Sequence, residues 1–556
     1  MKRYECLRSV SGLVVLGLAL SSFLKPSAVA QGKPEATSSA VAGYNPLQPE
    51  ASNMGLVGYN DLQGRGAYQP VVKRQGERWI AYVGSQFGGP DRLNTLTGQV
   101  EPNGTSIIDV TDPTNPKYIA HILGEERPGG NDYFSPGRYP RGQGQYVQVC
   151  GGSELPHAEK GKFYLLRDFG YSRWEIWDVT DPAKPTKITD VGPPLEGLHK
   201  GTWECNTGIA YLPSGLFGWP LPTGTKHNAI NHMAIWDLSN PAKPVLIRHW
   251  GLPGQNPGST TPVPIGDLNT IISSMNIHVG TGPERNRLYV GYGNTSNGIW
   301  VILDRDKLLN GPKEPTDENM RYPIITRVDM PPDMGGHTPF PMFDMELPQF
   351  AHQAGGKVKD FIALTAQQTG TECHVGVQGE DGSAQMLRMY DINYETRPVG
   401  VSTWYVSEDS GNFCSRGGRF GPHDQSNDFN PIYYKRVLLL TYWNAGVRAV
   451  DIRDPYHPKE IGYYIPAINP KFAEDRCVGN DYGFHGADSE KATGKLLPGR
   501  GEDCKKVIET NMLTADSRGY IYAVDHASNG MVILDLTGPA REVPDYSKAE
   551  SSADSH

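Results

Sequence analysis

One unit recurs seven times along this chain and limits its fold more than any other feature: an apolar strand that ends in Asp and runs into a Pro-marked turn. The close copies read SIIDVTDPTNP (106–116), EIWDVTDPAKP (175–185) and AIWDLSNPAKP (234–244). Looser copies read WVILDRDKL (300–308), RMYDINYETRP (388–398), RAVDIRDPYHP (448–458) and MVILDLTGP (531–539). The repeated acids are Asp109, Asp178, Asp237, Asp304, Asp391, Asp451 and Asp535, spaced 59 to 87 residues apart. A minimal four-stranded blade needs about 40–50 residues, so loops are inserted between the strands.

Each copy has further strands around it. RLYVGYG (287–293) precedes the fourth copy, RVLLLTYW (436–443) precedes the sixth and KEIGYYI (459–465) follows it. YIYAVD (520–525) precedes the seventh, with Ser528, Asn529 and Gly530 at the hairpin turn. Small antiparallel sheets repeated seven times predict an all-β, seven-bladed β-propeller, because closing the circle protects the sheet edges. With 65 Gly and 45 Pro among 556 residues, the chain is turn-rich and excludes long helices. The last copy runs into LTGPAREVPDYS, a poor outer strand. MGLVGY (54–59) resembles the outer strand of the sixth copy, so residues 54–60 are expected to complete the last blade and close the ring.

The chain ends read differently. Lys2, Arg3 and Arg8 precede an apolar run, Leu13 to Leu20, and Ala28-Val29-Ala30 forms a cleavage signal. Residues 1–30 therefore read as a signal peptide cleaved after Ala30, and the protein as exported, periplasmic or secreted. Residues 31–53 read as a flexible Pro/Ala/Ser-rich lead-in, 54–542 as a single propeller and 543–556 as a polar tail. No other stretch suits a membrane span. The net charge is −9, and −12 once residues 1–30 are removed, which argues against a nucleic-acid partner. Six cysteines then remain: Cys150, Cys205, Cys373, Cys414, Cys477 and Cys504. An even number in an oxidising compartment suggests disulfides. Six cysteines allow 15 pairings, and Cys477 with Cys504, in one insertion, is the first pairing expected.

The apolar–Asp–x–Ser/Thr–Asp/Asn–Pro–x–x–Pro unit resembles the LVIVD repeat of bacterial β-propellers. NDLQGRGAYQP (60–70) and RGYIYAVD (518–525) resemble further stretches of that family, and the likeness spans about residues 54–542. It implies an exported propeller and no single activity, since one fold hosts unrelated functions. The chain is more distantly similar to the selenium-binding-protein and methanethiol-oxidase propellers, which use copper.

The repeated Asp residues read as turn formers, because a carboxylate at a strand end accepts the N–H groups of the turn that follows. Trp177, Trp236 and Trp300, at equivalent strand positions, read as packing between blades. The histidines do not repeat uniformly. In a propeller the segment ahead of each second strand lines the central channel. Blade four carries MNIHV (275–279), blade five GGHT (335–338) and blade six GPHD (421–424) there. The matching places hold Glu204-Cys205-Asn206 in blade three, Thr510-Asn511-Met512 in blade seven and Tyr68-Gln69-Pro70 in blade one.

Three imidazoles on neighbouring blades, His278, His337 and His423, could hold a transition metal, copper, iron or zinc, with open positions. Glu204 and Asp424 are the candidate catalytic acids, as base or orienting group. Gln69, Asn206, His352, His374 and Asn511 are candidates for supporting or substrate contacts. The competing reading is a polar channel filled with water. No G-x-S-x-G, P-loop or H-E-x-x-H occurs, and no nucleotide or flavin is expected. The expectation is a metal-dependent enzyme acting on a small organic substrate, as an oxidase, hydrolase or lyase, with insertions 130–145, 213–228 and 344–358 as the rim. The alternative is a non-catalytic propeller that binds a protein partner or stores a metal. Either is expected to be monomeric.

Overall fold

The strand-forming segments close into a ring. The computed structural model describes residues 44–85, 91–124, 144–170, 172–195, 198–214, 219, 232–261, 275–280, 285–293, 298–331, 334–353, 355–368, 385–426, 428–476 and 505–550. All of its elements belong to the unit Asn45–His556. Seven antiparallel sheets of four or more strands form the blades, and two short ribbons stand apart from them. Blade one is built from Ala67–Gln75, Arg78–Ser85, Gly104–Asp109 and Lys117–Leu123. Blades two to six follow in chain order, each made of consecutive strands.

The closing strand is where the sequence placed it. Met54–Asn60 pairs with Met531–Leu536 as the outer strand of blade seven. Gly58 is required there, since a Cβ would lie 1.9 Å from the Pro113 carbonyl oxygen of blade one. Two expected boundaries move. Glu50–Ser52, assigned to a flexible lead-in, adds a fifth strand to blade six by pairing with Tyr463 to Ile465. Arg416 anchors it through Glu50. The expected polar tail also begins too early. Val543 is buried, and Tyr546 sets its hydroxyl on Asp535 and its ring against Tyr433. The polar composition of both segments hid these few apolar and backbone contacts.

Blades press against one another on both faces, so their middle strands are buried along their length instead of alternating. Arg78–Ser85 is buried at seven successive positions. The core is accordingly divided into one apolar cluster per blade interface, with a further cluster around Phe413, Phe420 and Tyr442 beside blade six. Ile80, Ile107, Val147 and Leu165 fill the first interface. Ala81, Ile108, Tyr522 and Ile533 fill the last, between blades seven and one. Trp236 sits in the cluster between blades two and three, and Trp300 packs on blade five, as packing residues should.

Five of the seven repeated Asp residues behave as turn formers, while Asp535 pairs with the Tyr546 hydroxyl and Arg541. Asp109, Asp178, Asp237, Asp391 and Asp451 each accept the backbone N–H two residues on, at 2.9–3.0 Å. Asp304 instead caps the short helix Arg305–Asn310 at Lys307 N. A register shift precedes the repeated Asp in every blade, for example between Ile176 and Trp177, and in blade seven it falls on the closing strand, between Leu56 and Gly58. A bulge at this place adds local twist and turns the strand end into its Pro-marked turn.

Cys150 and Cys205 form a disulfide that joins blades two and three. Cys414 is also disulfide-bonded, to a cysteine outside the described residues. Cys477 and Cys504 lie outside them as well. No described helix is long and apolar enough to cross a membrane.

Candidate functional site

Four consecutive antiparallel strands per blade make all seven inner strands run in one direction, so their starts gather on one face of the ring. His337 immediately precedes its inner strand, Thr338–Glu346, and His423 precedes Asp424–Gln425. His278 lies farther along its own, Met275–Val279. All three are buried at the axis. The rings of His337 and His423 are 5.7 Å apart.

Blade three departs from the expected placement of its inner strand. Its inner strand is only Thr202–Trp203, so the residues that enter the axis are His199 and Lys200. Glu204 follows that strand, where its carboxylate accepts from Arg305 at 2.5 Å and from the Tyr211 and Thr207 hydroxyls. Glu204 is thus part of an ion pair near the far end of the channel, away from the start of the inner strands. Asn206 lines the same end. The signal for His199 was in the sequence: Gly197-Leu198-His199 repeats the Gly-x-His spacing of His337 and His423.

An ion pair crosses the axis. Lys200 of blade three donates to Asp424 of blade six at 2.5 Å, both buried. Two blades separate these partners around the ring, so the bond spans the channel. Asp424 also accepts from the Thr338 hydroxyl at 3.1 Å. That hydroxyl spends its proton on Asp424, so it accepts from His337 Nδ1 at 2.8 Å. His423 Nδ1 meets the Asn511 carbonyl at 2.6 Å, and a carbonyl only accepts. Both rings therefore carry their proton on Nδ1 and present Nε2 as the basic nitrogen. Nε2 of His278 and of His423 is buried with no hydrogen-bond partner among the described residues.

His199 differs. Its Nδ1 bonds Gln145 at 3.0 Å and its Nε2 faces the Tyr68 hydroxyl at 3.5 Å. Tyr68 in turn lies edge-on to both His199 and His423. Behind His423, Trp443 packs at 4.4 Å, held by its indole N–H on the Gln368 carbonyl and by Arg419 over its ring. Trp443 has φ 36°, a left-handed backbone that costs a bulky residue about 1–3 kcal/mol and tends to mark functional sites. Arg419 is fixed by the buried Glu509, which also meets His526. Sequence reasoning missed this layer, because its members come from distant loops and share no spacing.

Burial sets the charge state of the cluster. Desolvation pushes His199 down to about 3, with the positive charge of Lys200 adding to it, and His278 to about 4, where the Asp424 carboxylate opposes the shift and Lys200 adds to it. His337 and His423 fall well below the usual histidine range for the same reasons. Desolvation also lowers Lys200, which Asp424 opposes. The imidazoles are neutral nitrogen donors at neutral pH.

A cavity of about 570 Å³ continues along the axis from this cluster, lined by Gln69, Lys200, His278, Glu204, Asp428 and Phe429 among others. Its dimensions suit a small organic molecule. Among the described residues no three His, Cys, Asp or Glu side chains converge as they would around one metal ion. His352 is exposed in the connection after the inner strand of blade five and takes no part in the cluster. Of the expected rim, 344–358 forms the end of that strand and the same connection, while 130–145 and 213–228 lie largely outside the described residues. His374 also lies outside them.

No family model matches this chain, and no curated protein does. Solved structures do. The β-propeller domain of Cps50 (Swd1) from Myceliophteria thermophila is 10% identical with a TM-score of 0.41, covering 88% of this chain and 100% of that one. Sqt1 of Chaetomium thermophilum, bound to the N-terminus of the ribosomal protein L10, is 8% identical with a TM-score of 0.39, covering 86% and 99%.

Proposed function

We propose that this is an exported propeller whose axial cavity is the catalytic site of a metal-dependent enzyme for a small organic substrate. The observation that carries the reading is the tautomer of His423. Its Nδ1–H is tied to the Asn511 carbonyl while Nε2 stays buried and without a partner among the described residues. A histidine that ligates a metal is oriented in this way, by a carbonyl or carboxylate on its other nitrogen. His337 repeats the arrangement through Thr338 and Asp424. His278 adds a third neutral imidazole.

Copper, iron or zinc suits such a donor set, and any of them would polarise a substrate oxygen when bound. The chain's own groups supply the rest. Asp424 and Thr338 orient His337, Lys200 holds Asp424 in place across the axis, and the blade walls exclude bulk water. To bring three nitrogens onto one ion the side chains must turn toward each other from the positions described above. Export is supported by the basic and apolar start of the chain and by its disulfides.

Elemental mass spectrometry of protein produced by export, purified without chelator or affinity histidines, tests this reading. We expect about one transition-metal ion per chain and its loss in a His278→Ala/His337→Ala/His423→Ala variant that still melts cooperatively. No metal after reconstitution overturns it. One observation favours the alternative of a protein-binding platform. The ribbon Arg92–Asn94 and Gln99–Glu101 exposes Leu93 at 52%, Leu96 at 52% and Val100 at 68%. Grouped apolar exposure of this kind suits a partner surface.

A further inference from the structure

Four charged systems line or flank the axial cavity. Lys73 pairs with Glu154 at 2.6 Å, Lys200 with Asp424, and Glu204 with Arg305. Asp428 is the fourth, and no cation pairs with it among the described residues. Its carboxylate accepts from the Thr514 hydroxyl at 3.1 Å and from the backbone N–H groups of Asn430 and Ala515. Its own backbone N–H adds a fourth contact, and all four donors are neutral, so the carboxylate's acceptor sites are filled while its charge has no counter-charge among the described residues.

Asp428 is partly buried at the cavity wall, and holding a carboxylate there with neutral donors alone and no counter-charge is costly. Desolvation pushes Asp428 above the usual carboxylate range, against the hydrogen bonds that lower it. Its neighbour Phe429 also lines the cavity. The Phe429 ring is backed by Phe340 and Tyr434, each 5.1 Å away. An aromatic face beside a carboxylate attracts a cation from two sides.

We infer that the axial cavity binds a primary organic amine, with its ammonium group on Asp428 and its apolar body against Phe429. This rests on the reading of the cavity as a ligand site, and it does not require the metal. The test uses the exported, disulfide-intact protein and two probes of equal shape, 2-phenylethylamine and 2-phenylethanol, titrated by calorimetry. The amine is expected to bind at least about tenfold more tightly than the alcohol, since a buried charge pair distinguishes the two. Asp428→Asn should remove that preference, and Asp428→Glu should retain part of it. The carboxamide keeps the Thr514 contact and the volume, and thermal melting reports whether each variant is folded.

Equal binding of the two probes, a preference that survives Asp428→Asn, or no binding of either at millimolar concentration overturns the inference. Repeating the titration after chelation separates the two readings: amine binding that persists without metal stands even if the metal centre fails.

Discussion

The two faces of this ring use polar side chains in opposite ways. On one face the repeated Asp residues sit at strand ends, partly exposed, and five of the seven are satisfied by an N–H group of their own turn. On the other face His278, His337, His423, Lys200 and Asp424 are buried, come from four blades, and bond across the axis. The first arrangement repeats because every blade needs the same turn. The second does not repeat, because one axis offers room for one constellation. In a propeller, repetition marks structure, and departure from it at the inner strands marks the site.

The sharpest way to break the comparison is at the Lys200–Asp424 bond. Lys200→Met or Asp424→Leu alone should cost about 3–5 kcal/mol, because each strands a buried charge. The double variant should cost less than either, read as denaturant midpoints. A double variant as unstable as the sum of the singles would show that the pair is not acting as one unit. Next is the Cys150–Cys205 link, which closes a loop 55 residues long. Replacing both cysteines with Ser should cost about 4 kcal/mol on the chain-entropy account, measured the same way.

Acid should act on the axial face through its buried histidines. His199 has a folded value of about 3 against an ordinary value of 6.5, so the unfolded chain binds more protons between those limits. Stability from this group is present above about pH 6.5 and is lost as pH falls toward 3. At pH 5 the loss is about 2 kcal/mol from His199. His199→Gln should flatten the pH dependence of the urea midpoint between pH 7 and 5, and an unchanged slope would count against burial of a neutral ring. The smallest effect belongs to the turns. Asp178→Ala should cost about 0.5–1.5 kcal/mol, the worth of one turn hydrogen bond, and leave metal content unchanged.

Much of the fold was legible because it is local and repeated. The apolar–Asp–Pro pattern depends on neighbours in sequence, so seven blades, their hairpins and the turn role of the acids could be read without coordinates. The closing strand was legible for the same reason: MGLVGY matches the outer-strand pattern, and blade seven lacked one. The ends were less legible, because Glu50–Ser52 and Val543–Ala549 dock through backbone pairing and single side chains that composition does not advertise.

The site was half legible. His278, His337 and His423 stood out by position within the repeat, whereas Asn511 meets His423 through its backbone carbonyl, which its side chain did not foretell. Glu204 was misplaced and His199 overlooked because the inner strand of blade three is only two residues long, too short to set a register by pattern. Which groups meet at the axis is a different kind of information. Lys200 and Asp424 are 224 residues apart, and no periodicity relates them. The sequence alone determined a closed ring of seven sheets, since each blade is specified by contacts a few residues apart. Only the tertiary structure decided that a lysine from blade three crosses the channel to blade six, because that contact exists once the ring has closed and the axis has excluded water.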